Sequence, residues 1–276
     1  MSSAKRFAQR SVKFVASEVD RLRSHPPGVV ILLYHRVGGR SHLDVDLDPR
    51  VFDEQMAQLR ASARVVSLED ALERLTANNA EARAQEPAIA VTFDDGTADF
   101  ADVAVPILER HRIPATLYIA TDFIEQQRSF PDDGRPLSWA ALADVHATGL
   151  VNIGSHTHRH RLLDRVDENV AVEELDRSIE LTGERLGLRP RDFAYPKAVG
   201  PSAGAARAVN TRFRSAALAG TRGNAYGATD VHRLARSPIQ ASDGMRWFKH
   251  KVAGGMAFED TLRRSLNQVR YSRSRT

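Results

Sequence analysis

Two clusters of side chains in this chain could do chemistry. The first is Thr92-Phe93-Asp94-Asp95-Gly96, two neighbouring carboxylates at the end of the apolar run that starts at Ala88. Adjacent residues of a regular strand point to opposite faces, so both carboxylates can serve one site only if the backbone leaves extended geometry there. Gly96 makes that departure easy. Taken alone, Asp-Gly is an ordinary turn. The second cluster is Gly154-Ser155-His156-Thr157-His158-Arg159-His160, again at the end of a strand-like run. His156 and His160 would share one face if the loop turns into a helix, while the spacing of His158 turns it to another side. Two imidazoles and one carboxylate make a ligand set with a position left for water, suited to Zn²⁺ first and to Co, Ni or Mn as alternatives. A polar histidine loop on the surface is the alternative reading, and even taken alone the segment favours the ligand pair over it. The chain has no cysteine, which excludes thiolate ligands and disulfides.

Two further segments are weaker. Arg191-Asp192-Phe193-Ala194-Tyr195-Pro196-Lys197 is a short aromatic strand broken by proline, and Leu33-Tyr34-His35-Arg36-Val37 ends an apolar strand in a histidine. A lone histidine in such a place is more often structural than catalytic.

The elements that must position these residues alternate between short aliphatic runs and longer amphipathic ones. Strands are predicted at Val29 to Tyr34, Ala88 to Phe93, Ala115 to Ala120, Val151 to Ser155 and Phe193 to Tyr195. Helices are predicted at Arg50 to Ser62, with Phe52, Met56 and Leu59 on one face, and at Leu68 to Leu75 behind Ser67. Others follow at Ala101 to His111, Ser138 to about Thr148 and Asn169 to Leu186. The repeated units imply an α/β protein with a parallel sheet, open or closed, and the informative residues cluster at strand ends, where such folds assemble their sites.

At 276 residues, 42% hydrophobic and 27% charged, with no linker dividing it, the chain fits one large domain. The expected division is a basic helical extension over 1–28, a catalytic domain over 29–255 and a basic tail over 256–276. The net charge of +4 is concentrated at the ends, through Lys5, Arg6, Arg10, Lys13, Arg21 and Arg23 at one and Arg263, Arg264, Arg270, Arg273 and Arg275 at the other. The segment Ser3 to Arg23 reads as a helix packed on the domain, with an interfacial membrane helix as the sharper alternative. No apolar run is long enough to span a bilayer and no secretory pattern follows the basic start, so a cytoplasmic chain, peripheral to the membrane if the termini bind lipid, is expected. No DNA- or RNA-binding motif accompanies the charge, which sets that class aside.

Together the motifs resemble the carbohydrate esterase family 4 polysaccharide deacetylases. Thr92 to Gly96 is similar to their Thr-Phe-Asp-Asp-Gly signature, His156-Thr157-x-x-His160 to their second motif, and Phe193-Ala194-Tyr195-Pro196 to one form of the third. Tyr34-His35-Arg36-Val37 and Phe52-x-x-Gln55-Met56-x-x-Leu59 resemble the subgroup acting on poly-N-acetylglucosamine and related glycans. The likeness runs over roughly residues 29 to 240. It implies a distorted (β/α) barrel with fewer than eight regular units and one divalent metal at its mouth. It further implies Asp94 as general base, Asp95, His156 and His160 as metal ligands, and His35 as general acid. Thr157 would contact acetate or support a ligand, the Lys197 N–H would face the oxyanion, and Tyr195 and Pro196 would shape that corner. Many members carry an arginine that orients the catalytic aspartate at the third motif. This chain has Ala194 in that region, so Arg236, in Leu234-Ala235-Arg236-Ser237-Pro238-Ile239, becomes the candidate, and Lys197 replaces a usual aromatic. The implied activity is removal of N-acetyl groups from a sugar of a glycan, polysaccharide or glycolipid intermediate. Another metal-dependent hydrolase of non-peptide C–N bonds and a non-catalytic glycan-binding protein are the alternatives. The expected partner is the N-acetylated glycan, with the basic termini as a contact for anionic lipid or a glycan-assembly complex.

Overall fold

The computed structural model describes residues 27–77 and 86–257. The basic helix expected over 3–23 and nearly all of the basic tail lie outside the described residues. The strands are β1 (Gly28–Tyr34), β2 (Arg64–Val65), β3 (Ala88–Phe93), β4 (Ala115–Ile119), β5 (Val151–Ser155), β6 (Asp192–Ala194), β7 (Ser215–Ala219), β8 (Asn224–Ala225) and β9 (Leu234–Pro238). Seven of them close a ring of parallel pairs in the order β1, β3, β4, β5, β6, β7, β9 and back to β1. β2 adds outside the ring on β3, and β8 pairs antiparallel with the start of β1. The fold is therefore the distorted barrel with fewer than eight units.

The aliphatic runs form strands because both of their faces are covered: all seven residues of β1 are buried. Alternation along the strands sorts side chains into two layers. Val29, Ile31, Ala88, Ala90, Tyr118, Ala194, Ala217 and Leu234 meet in the barrel interior, and Leu68, Ala71, Leu72 and Leu75 of the helix Leu68–Thr76 close the end where the strands begin. Val30, Leu32, Tyr34, Val91 and Phe93 face outward against Phe52, Met56 and Leu59 of the helix Pro49–Ser62. On the far side Phe193, Tyr195 and Ala216 pack under the helices Glu168–Leu186 and Ala203–Asn210.

Two differences from the sequence reading matter. The helix expected from Ala101 opens with a π-helical turn, Phe100–Ala104, before its α-helical part, Val105–His111. After Pro196 the chain adds a helix, β7, β8, β9 and the helix Gly244–Val252, none of which the sequence reading placed. β7 reads Ser-Ala-Ala-Leu-Ala. Its small residues leave room for large groups inside the barrel, which removes the β-branched signature of a strand.

Candidate active site

The mouth of the barrel gathers the chain exits of β1, β3, β5, β6 and β9. At the end of β3 the Asp94 N–H donates to the Tyr34 carbonyl at 3.0 Å, continuing the ladder one residue past the strand. The backbone then turns sharply: Asp95 has φ 76°, and the Gly96 N–H donates back to the Asp94 carbonyl at 3.0 Å. This is a γ-turn with a positive-φ centre, a rare and strained form. The departure from extended geometry thus falls on Asp95 itself as well as on Gly96, and it brings both carboxylates to one side.

The histidine segment does not become a helix. Residues 156–160 form a loop in which Thr157 (φ 67°) and His160 (φ 55°) are left-handed. Such angles are costly for non-glycine residues, above all for β-branched threonine, and persist only where surroundings impose them. Here the Asp122 N–H donates to the His158 carbonyl at 2.9 Å and the Arg159 N–H to the buried Glu174 carboxylate at 2.7 Å. The Thr157 hydroxyl accepts from the Arg161 N–H at 3.2 Å, so it braces the loop. His158 is turned away, its Nδ1 lying 2.9 Å from Thr121 Oγ1.

The outcome is a convergent group. Ligand atoms of Asp95, His156 and His160 lie within 4.8 Å of one another, with Asp95 Oδ1 3.7 Å from His156 Nε2 and 3.4 Å from His160 Nε2. His156 Nδ1 is 2.7 Å from the Ala194 carbonyl, which can only accept, so Nδ1 carries the proton and Nε2 keeps its lone pair. Burial, the largest influence on both rings, pushes His156 and His160 down to about 4. Both are neutral donors near pH 7, and two imidazole nitrogens with one carboxylate suit a divalent transition metal.

Beside the cluster stands Asp94, 3% exposed. Arg236, with no exposed surface, forks it: Nη1 to Oδ1 at 2.5 Å and Nη2 to Oδ2 at 2.8 Å. The guanidinium also reaches Thr92 Oγ1 and the Leu218 carbonyl, each at 3.4 Å, and lies 5.1 Å from the Tyr118 ring centre. Burial, the largest single influence, would raise the Asp94 carboxyl, but the charge and hydrogen bonds of Arg236 together with His156 and His35 outweigh it and hold the group at about 2. Thr92 and Tyr118 are site residues that sequence reasoning missed; an inward position one residue before the end of a strand was their only signal.

His35 follows β1 and lies close enough to bear electrostatically on Asp94 and His160. The Lys197 backbone is left-handed (φ 51°), its side chain is exposed, and its charge contributes to the depression of His160. Pro196 is buried beside it. Tyr195 departs from expectation. Because Ala194 points into the barrel, Tyr195 points out, and its ring packs edge-on to Phe193 at 5.0 Å in the outer cluster, away from the carboxylates.

Residues 81–214 match the family model for polysaccharide deacetylases. Over those residues the chain is similar to that family. Similar proteins include the poly-β-1,6-N-acetyl-D-glucosamine N-deacetylase of Staphylococcus aureus (strain MRSA252), 27% identical over 114 residues, which are 38% of this chain and 39% of the relative. The enzyme of the same name from Staphylococcus epidermidis is 23% identical over 203 residues, 65% of this chain and 68% of the relative. The match thus spans about two fifths of the length of the Staphylococcus aureus relatives. Among solved structures, IcaB from Ammonifex degensii superposes with a TM-score of 0.70 at 25% identity, over 82% of this chain and 98% of that one. The Streptococcus pyogenes deacetylase PplD shares the fold, with a TM-score of 0.69 at 20% identity over 82% and 99%. In this chain the fork from Arg236 supplies the cation that Ala194 does not.

Proposed function

We propose that this protein removes N-acetyl groups from an N-acetylated sugar polymer, of the poly-N-acetylglucosamine kind named for its relatives, by metal-assisted hydrolysis. The observation that carries the reading is the pairing of a three-ligand cluster, Asp95, His156 and His160, with a separate carboxylate, Asp94, locked beside it by Arg236. A divalent ion held by those three would polarise the acetamide carbonyl and acidify the attacking water, which a base held as low as Asp94 requires.

Asp94 accepts a proton as the water oxygen bonds to the acetyl carbon. Arg236 keeps both carboxylate oxygens aimed, and the Lys197 N–H, at the turn after Pro196, faces the developing oxyanion. The C–N bond then breaks, and the nitrogen leaves with a proton from His35. One water is consumed, and acetate and a free amino sugar are released. A cleft of about 430 Å³ opens between the loop that carries His35 and the loop that follows Asp95, lined in part by Arg36, His42, Asp99 and Asp132. Its mixed lining, with charged side chains beside apolar ones, suits sugars flanking the one being deacetylated.

The test is acetate release from N-acetylglucosamine oligomers with metal removed by a chelator and then restored. Activity should vanish and return, and Asp94→Ala with full metal content should lose at least ~100-fold in kcat. Release that ignores the chelator, or that occurs only from non-sugar amides, would sink the reading.

A further inference from the structure

The loop that follows His35 is built around one buried carboxylate. Asp46, 3% exposed, accepts four consecutive backbone N–H groups: Gly38 at 3.0 Å and Gly39 at 2.8 Å on Oδ1, Arg40 at 3.1 Å and Ser41 at 2.8 Å on Oδ2. The backbone beside it is clasped to Arg36, the neighbour of His35. The Arg36 N–H donates to the Val45 carbonyl at 3.1 Å, and the Leu47 N–H donates to the Arg36 carbonyl at 2.9 Å. A second carboxylate, Asp99, takes the Val37 N–H at 2.5 Å. His35 Nδ1 is buried and makes no hydrogen bond to the protein, so no partner on that nitrogen aims the ring. Its direction is set by the backbone of 34–37, which is clasped by the segment 45–47 that carries Asp46, pinned at Val37 by Asp99, and continued by the 38–41 loop that the Asp46 carboxylate gathers.

We infer that Asp46 is a positioning residue for His35, holding it where it can protonate the leaving nitrogen. The inference rests on the role proposed above for His35. A general acid works only within hydrogen-bond reach of its acceptor, so a small drift of the loop is enough to disable it. An asparagine at 46 keeps the shape but turns an NH₂ group toward two N–H donors, forcing the loop open on that side. Replacing a carboxylate that accepts four main-chain donors differs in this respect from removing an ordinary surface charge.

The experiment separates acid catalysis from everything else by changing the leaving group. An N-acetylglucosamine oligomer needs its amine protonated; 4-nitrophenyl acetate releases a phenolate that needs no proton. Both are assayed with metal-loaded wild type, His35→Ala, Asp46→Asn and Asp46→Glu. Asp46→Asn should lower kcat/KM on the amide by roughly tenfold or more while ester hydrolysis stays within about twofold, in the same direction as a larger split in His35→Ala. Asp46→Glu keeps the charge, shifts the acceptors by one methylene and should show a smaller split; it carries the test if Asp46→Asn does not fold. An amide-to-ester ratio equal to wild type in both Asp46 variants, with His35→Ala split, overturns the inference alone. An unchanged ratio in His35→Ala overturns the acid assignment and the inference with it.

Discussion

Arg236→Met tests the centre of the site. In the wild type the guanidinium and Asp94 are both buried and forked together, so the pair neutralises itself. The sign of the pH effect follows from the carboxyl. Its folded pKa, about 2, lies below its ordinary 3.8, so Asp94 contributes stability above pH 4 and loses it as pH falls toward 2. That difference corresponds to about 2 kcal/mol. Removing Arg236 deletes the largest influence that lowers the carboxyl and leaves the burial that raises it, so Asp94 in the variant should titrate above its ordinary value.

An unpaired buried carboxylate left by such a deletion costs about 3 to 5 kcal/mol at neutral pH. Because the variant can relieve that cost by protonating Asp94, its deficit against wild type should shrink as pH falls from 8 to 5. The measurement is urea unfolding followed by circular dichroism, in chelator so that metal binding does not contribute, at several pH values. The double variant Asp94→Asn/Arg236→Met removes both charges and should be more stable than Arg236→Met alone, while neither releases acetate at more than ~1% of the wild-type rate. A deficit that is constant across pH, or a double variant less stable than the single one, would refute the reasoning.

The ligand histidines predict a second pH effect, of opposite origin. Their folded pKa values of about 4 lie below the ordinary 6.5, so the unfolded chain binds more protons between those limits and the metal-free protein should lose stability as pH falls from 6.5 to 4. His160→Gln should flatten that slope in the same urea series; an unaltered slope would count against it. Gly154→Ala probes the barrel interior, since a Cβ there would lie 2.5 Å from Tyr118 Cδ1 and 3.0 Å from the Asp192 carbonyl. We expect about 1 to 3 kcal/mol of destabilisation from overpacking, read as a lower Tm, together with reduced kcat because Tyr118 lies against Arg236. A variant as stable and active as wild type would show that the interior has slack.

The parts of the site legible in the sequence are those whose residue types announce themselves. Asp94, Asp95, His156 and His160 stand out because ionisable groups crowd where apolar runs end. How they converge was not legible. The four-residue spacing of the histidines suggests a helical face, yet the loop reaches the same convergence through two left-handed residues that Asp122 and Glu174 hold in place from elsewhere in the chain. The Asp46 cradle is silent for a related reason: a carboxylate that serves main-chain amides constrains no partner side chain, so no residue pattern records it.

Arg236 and Ala194 explain one another. Asp94 and Arg236 are 142 residues apart, and only closure of β9 against β1 brings them together inside the barrel. Residue 194 also faces that interior, fully buried, and the space there is shared by the Arg236 guanidinium and the Tyr118 ring. A second guanidinium entering from β6 would find its anion already forked and would be a buried cation without a partner, which is strongly unfavourable. A small apolar residue at 194 is therefore what the interior requires once the cation arrives from β9. The same inward turn at 194 sends Tyr195 outward, so one choice of strand for the arginine accounts both for the missing cation of the third motif and for the aromatic side chain that packs away from the site.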